Sequence, residues 1–274
     1  MKKYFVADFN VIDVPTGGGE WVDDFIIKKF NLEFLHTRNI NSFDQTAFYV
    51  FSNISLLPQH LLNQIHSLNY VILEHDYKIC LSRHPWRYQD NIIPQQERIN
   101  YSLYKNAKAV FVQTTDHMNV YLKNDVEANF VNLECSIWSD EDLNMLENIN
   151  NENTNKNGKY AVYFTNNWIK NTQGNLKYCA ENKLQNYILK ENRNRVEFLS
   201  NLAKCEGIVF FPLARETFCR LVVEAKCLGL NVITSKNYGA SLEPWFDKLI
   251  GLDLINFLKE KTNENINKIK NYLD

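Results

Sequence analysis

Short apolar runs, each too brief for a helix and each followed by an amphipathic stretch, recur along almost the whole chain. In the first half they read YFVADF, LEFLH, FYVFS, YVIL, AVFV and NFVNL, at residues 4–9, 32–36, 48–52, 70–73, 109–112 and 129–133. A strand that is apolar on successive positions must bury both faces, which an antiparallel sheet with one wet face does not require. Helical spacing fills the gaps at residues 19–30, in PQHLLNQIHSL after Pro58, around 95–104 and at 116–122. Strands separated by covering helices define an α/β class with parallel sheets.

The pattern stops and restarts. Residues 148–158 (NINNENTNKNG) are almost without apolar side chains and end in Gly158, the composition of a linker. Strands then follow at 160–164, 207–211 and 231–234, with helices at 171–182, 195–205 and 217–228 and a helical tail from Leu254. The expected organisation is a domain over 1–147, a linker over 148–158 and a smaller domain over 159–274. At 274 residues and 45% hydrophobic content there is material for two cores, so global disorder is excluded. Small molecules bind such units at the carboxyl ends of their strands.

Charge and cysteine usage narrow the function. A net charge of −2 lacks the basic footprint of a nucleic-acid binder. Cys80, Cys135, Cys179, Cys205, Cys219 and Cys227 include no CxxC pair, which points to free thiols in a reducing compartment and no zinc site. Asp8 interrupts MKKYFVADF before a signal h-region forms, and no apolar segment approaches the ~18 residues of a membrane span. A soluble, cytoplasmic protein without a transmembrane segment is expected. P-loop, HExxH and GxSxG motifs are absent.

The chemistry concentrates in FFPLARETFCRLVVEAKCLGLNVITS, residues 210–235. Phe218, Leu221, Val222, Ala225 and Leu228 recur at helical spacing. If Glu216 and Glu224 share that helix, they stand about 12 Å apart along it. One carboxylate could then serve each end of a nucleotide sugar, with helix-terminal amides holding a diphosphate between them. A first-turn dipole residue at Glu216 and a solvated helix position at Glu224 account for the same spacing.

Residues 207–243 resemble the C-terminal signature of GT-B glycosyltransferases, the retaining family-4-like kind. That signature is a strand ending in Pro, then E-x-F-G-x-x-x-x-E-A, a small residue and Gly, a Val-rich strand and a Gly-containing loop. Here the pieces are Pro212, Glu216-Thr217-Phe218, Glu224-Ala225, Gly229, Val232-Ile233-Thr234 and Asn237-Tyr238-Gly239-Ala240. The resemblance implies two Rossmann-like domains facing across a cleft and transfer of a sugar from a nucleotide diphosphate-sugar to an unidentified acceptor. No metal and no cofactor beyond that co-substrate would be needed.

Residue by residue, the resemblance puts Glu216 at the donor sugar and Glu224 at the ribose. Arg220 and Leu221 join the donor-binding set, and the amides of Gly239 and Ala240 lie at the sugar–phosphate end. Lys170 falls where the family carries its phosphate lysine, the alternative being a surface charge at a helix N-terminus. Three positions depart from the pattern. Asn171 stands for the usual Gly after the lysine, Asn166 or Asn167 for its companion Arg, and Cys219-Arg220 for a Gly and an apolar residue. Arg220 is then either a snorkelling side chain or a diphosphate ligand.

Two further features resemble the family's first domain. Strand, short loop and GGGE before a helix (Val14 to Phe30) is similar to its glycine loop, placing Gly18 and Gly19 near phosphates; a surface turn reads the same way. His75, in Glu74-His75-Asp76 after a buried strand, matches its active-site His, or is a satisfied core residue. The following Arg83, Trp86 and Arg87 suit an anionic or sugar acceptor, or form an ordered surface loop. Two other functions stay open: a nucleotide-sugar-binding protein without turnover, and a nucleotide-sugar epimerase of the same fold.

Overall fold

The computed structural model describes residues 1–9, 17–152 and 155–274. Val14, at the start of the glycine-loop reading, and two residues of the polar run lie outside them. The chain forms two compact units, residues 1–137 with 263–274, and residues 138–262.

The first unit carries β1 (Lys3–Ala7), α1 (Gly18–Phe30), β2 (Glu33–His36), β3 (Phe48–Phe51), α2 (Gln59–Ile65), β4 (Asn69–Leu73), α3 (Tyr101–Asn106), β5 (Val110–Val112), α4 (Thr115–Lys123) and β6 (Phe130–Asn132). The strands form one sheet in the order β2-β1-β3-β4-β5-β6. Every pairing is parallel, with Val6 opposite Leu35 and Phe51. Alternate residues feed opposite faces. Tyr4, Val6, Tyr49, Phe51, Tyr70 and Ile72 meet Leu61, Ile65, Tyr104 and Tyr121 from the helices on one side. Phe5, Ala7, Phe48, Val50, Val71 and Leu73 meet Val22, Ile26 and Ile27 of α1, together with Ile266, Ile269 and Leu273, on the other. Each Val, Ile, Leu or Phe among them contributes about 1.5–3 kcal/mol relative to exposure, which is why the continuous apolar runs became the central strands.

The second unit carries α5 (Asp140–Asn151), β7 (Tyr160–Phe164), α6 (Thr172–Glu181), β8 (Asn186–Lys190), α7 (Arg195–Ala203), β9 (Gly207–Phe210), α8 (Arg220–Cys227) and β10 (Asn231–Thr234). Its sheet is parallel, in the order β10-β9-β7-β8. Helix α9 (Gly251–Leu273) follows and ends in the first unit. In each sheet the strand order reverses once, between β1 and β3 and between β7 and β9. Those switch points are where α/β sheets open a crevice at their carboxyl ends.

Several elements differ from the sequence reading. Residues 140–151 form a helix, so the polar run begins inside α5, and the boundary between units falls after Ile137. Ser139 caps that helix by accepting from the Asp142 N–H at 3.0 Å, and three acids fill its first turn. Leu143, Leu146 and Ile149 form its buried stripe, narrow enough to be hidden among asparagines. Strand β8 was not expected: at the sheet edge, only Leu189 of its five residues is buried. The stretch expected as one helix at 95–104 breaks, because Asn100 takes a left-handed backbone (φ 61°).

Candidate functional site

The loops at the switch point of the second unit hold the signature residues. After β7 the chain makes a single 3-10 turn ending at Lys170, and after β9 it runs through Pro212 to Glu216. Lys170 Nζ lies 2.9 Å from Glu216 Oε1, with both side chains partly open to solvent. Burial alone would lower the lysine pKa, but the Glu216 carboxylate outweighs it and holds the ammonium above its ordinary range. Glu216 is fixed by its backbone: its N–H donates to Asn237 O (3.2 Å) and its carbonyl accepts from the Gly239 N–H (2.9 Å). A cation and a carboxylate thus stand together at the ends of adjacent parallel strands.

Two departures from the family pattern acquire a reason. Asn171, where Gly is usual after the lysine, has φ 54°, and Cys219, also in a glycine position, has φ 77°. Both occupy the left-handed region, which glycine enters without steric cost. Asparagine tolerates it, helped here by an Asn171 Nδ2 bond to Phe211 O at 2.9 Å. Cysteine bears the strain.

Other expectations change. Helix α8 starts at Arg220, not 217, because the left-handed Cys219 separates it from the extended segment before it. Glu216 therefore precedes the helix, and the 12 Å helical spacing does not apply. The Gly239 N–H is donated to Glu216 O and the Ala240 N–H to Phe218 O (3.4 Å), so the two amides expected at a phosphate are already bonded within the protein. Leu221 is half-buried at the start of α8. Arg220 neither snorkels nor stands open to a diphosphate. It pairs with Asp142 at 2.8 Å and lies 3.8 Å over the Trp138 ring. Glu224 is buried and pairs with Arg195 at 2.6 Å. Asp142 and Arg195 were missed, since neither belongs to a motif and Asp142 sat in a stretch, before the polar run, to which no element had been assigned.

In the first unit, Gly17 caps α1 and Gly18 is exposed. A Cβ on Gly19 would stand 3.1 Å from His75 Cγ, so the absent side chain makes room for the imidazole. The ring is clamped: His75 Nε2 lies 2.7 Å from Asp23 Oδ1 and Nδ1 lies 2.8 Å from Gln113 Nε2. The Gln113 amide donates to Nδ1, leaving the proton on Nε2 for Asp23, which also accepts from Ser52 Oγ at 2.8 Å. With both nitrogens engaged, His75 is neither a loose surface group nor an open general base.

The segment after β4 is held by buried polar groups. Glu74 accepts from Lys78 Nζ and, at 2.5 Å, from the Tyr104 hydroxyl. Asp76 pairs with Lys78 and Arg83; burial raises its pKa, but the two cations prevail and hold it at about 2. Its carbonyl accepts from Tyr121 at 2.9 Å and lies 3.0 Å from His117 Nε2. Arg83 also reaches Asn53 (2.8 Å) and Ser55 (2.7 Å), so it ties two loops together rather than extending toward solvent. Arg87 is exposed, 5.9 Å from the Trp86 ring centre. Among the described residues no group of three or more His, Cys, Asp or Glu is arranged to hold a metal ion, and no helix is long and apolar enough to cross a membrane.

No protein-family model matches the chain, and no curated protein sequence matches it either. Solved structures do. The crystal structure of Anabaena HepE in complex with UDP and glucose is similar over 96% of this chain and 89% of its own, at 12% identity and a TM-score of 0.51. HepE in complex with UDP-glucose is similar over 100% and 92%, at 11% identity and a TM-score of 0.50. The fold is that of the GT-B glycosyltransferases, as the signature over residues 207–243 implied.

Proposed function

We propose that this chain is a glycosyltransferase that binds a nucleotide diphosphate-sugar through its second unit and transfers the sugar with retention of configuration, without a divalent metal. The observation that carries the reading is the Lys170–Glu216 pair, a cation and a carboxylate 2.9 Å apart at the switch point of a parallel sheet. The likeness to HepE, which is solved with UDP-glucose, supports it.

On this reading Lys170 leaves Glu216 when the donor arrives and meets the diphosphate, stabilising the charge that grows as the glycosidic bond breaks. Glu216 turns to the sugar hydroxyls, where a carboxylate accepts two hydrogen bonds at once. A donor phosphate oxygen takes the proton of the acceptor hydroxyl on the face the leaving group vacates. His75, held by Asp23 and Gln113, contributes a rigid surface with a fixed tautomer rather than moving protons. Arg87 and Trp86 are assigned to the acceptor, and Arg83 supports the loop that carries them.

The test is hydrolysis or transfer with a panel of uridine, guanosine and adenosine diphosphate sugars, in buffer with and without EDTA. Turnover that survives EDTA and falls at least about a hundredfold in Glu216→Ala and Lys170→Ala is expected. Undiminished turnover in those variants sinks the assignment. Binding without turnover would identify a nucleotide-sugar-binding protein, and release of a C2-inverted sugar without acceptor an epimerase.

A further inference from the structure

Four charges close on one another at the start of α8. Asp142 Oδ1 accepts from Arg195 Nε and Asp142 Oδ2 from the Arg220 guanidinium, both at 2.8 Å. The far nitrogen of Arg195 reaches Glu224 Oε1 at 2.6 Å, and Arg220 Nε lies 3.7 Å from that same oxygen. Side-chain exposures are 16% for Arg195, 8% for Arg220, 7% for Asp142 and 4% for Glu224. Burial raises the Asp142 pKa, but Arg220 and Arg195 overcome it and hold the carboxyl below its ordinary range. Well-packed apolar residues in such a place are often as stable or more so, so stability alone does not call for four ions here.

The arrangement does something an apolar cluster could not. Arg195 and Arg220 both address Glu224 through Oε1. Among the described residues Oε2 has no hydrogen-bond partner, and it is not one of the sealed polar atoms. The carboxylate is therefore fixed in rotation by a guanidinium and left with one acceptor oxygen. Arg195 is fixed in turn because Asp142 holds its Nε.

We propose that Asp142 and Arg195 are positioning residues for ribose recognition: they hold one oxygen of Glu224 so that the other accepts from the ribose 2′-hydroxyl of a nucleoside diphosphate. This rests on the reading that the second unit binds a nucleotide sugar. It adds that discrimination between ribose and deoxyribose is set by an Asp–Arg pair that does not touch the ligand.

Calorimetric titration of the full chain with UDP, GDP and ADP, and then with the 2′-deoxy form of the one that binds best, tests this. Wild type is expected to favour the ribonucleotide by about tenfold, the size of one hydrogen bond to a charged group. Asp142→Asn and Arg195→Lys should weaken the ribonucleotide by a similar factor and leave the deoxy form nearly unchanged, collapsing the ratio toward one. Glu224→Gln should do the same, and adding Asp142→Asn to it should cost little more. Equal loss for ribo and deoxy forms would mean a structural role only and overturns the proposal, as does an unchanged ratio in both variants. Wild type binding both forms equally also overturns it while leaving the nucleotide reading standing. Wild type binding none of the nucleotides overturns both. Circular dichroism checks the fold, and Arg195→Lys, which keeps the charge, decides if Asp142→Asn fails to fold.

Discussion

His117 makes the loop that presents His75 sensitive to acid. Its ring is fully buried on α4, within 5.1 Å of the Tyr77 ring and 5.6 Å of the Tyr121 ring. Nδ1 accepts from the Gln113 N–H at 3.3 Å, and Nε2 donates to Asp76 O at 3.0 Å. Protonating Nδ1 would turn an acceptor toward a donor. Burial is the main cause of a pKa lowered to about 4, with Lys78 adding to it and the Asp76 carbonyl opposing. Against an unfolded value near 6.5 the difference amounts to about 3 kcal/mol. The sign is fixed by the favoured form: between those values the unfolded chain binds more protons, so stability is complete above pH 6.5 and declines as pH falls toward 4. The slope approaches about 1.4 kcal/mol per pH unit. Asp76, held at about 2, loses its contribution only below its ordinary value of 3.8 and leaves the upper window clear. Urea unfolding at pH 7.5 to 4.5, read by pulsed hydrogen exchange at the amides of β4 and β5, reports this unit alone. His117→Gln, which keeps a donor and an acceptor but cannot titrate, should flatten the slope. An equal slope in the variant, or a His117 ring titrating near 6.5 by NMR, refutes the argument.

Gly19→Ala forces a methyl to 3.1 Å from His75 Cγ; transfer activity should fall by about tenfold or more with a melting temperature lowered by only a few degrees, and unchanged activity would detach the imidazole from the site. Cys219→Ala keeps the left-handed strain while Cys219→Gly removes it, so the Gly variant should be the more stable of the two by about 1 kcal/mol in urea melts. In a double-mutant cycle, Lys170→Met and Glu216→Gln should each lower kcat more than KM changes, and the double variant should lose less than the sum; full additivity would mean that the two groups act apart.

The sheets were legible because each has central strands that run as unbroken apolar stretches, Phe48–Phe51 and Gly207–Phe210 being buried at every position. Tyr160–Phe164 and Asn231–Thr234 match to the residue. Edge strand β8 escaped, since one buried Leu189 leaves no periodic signal. Helix α5 escaped because a narrow stripe at Leu143, Leu146 and Ile149 is outnumbered by Asn and Glu. That miss hid Asp142, and with it the connection of Arg195 to Glu224. The Lys170–Glu216 proximity could be anticipated only through the resemblance, the two being 46 residues apart. No spacing rule could reveal that the Gly239 and Ala240 amides are bonded internally, since that depends on how the loops after β9 and β10 run side by side.

A crystal structure of the chain with a nucleotide diphosphate-sugar shows most directly where a donor diphosphate lands. Diphosphate oxygens are expected within about 3 Å of Lys170 Nζ, with sugar hydroxyls on Glu216 and the ribose 2′-hydroxyl on Glu224. A nucleotide bound away from the β7 and β9 loops, with Lys170 still paired to Glu216, would contradict it.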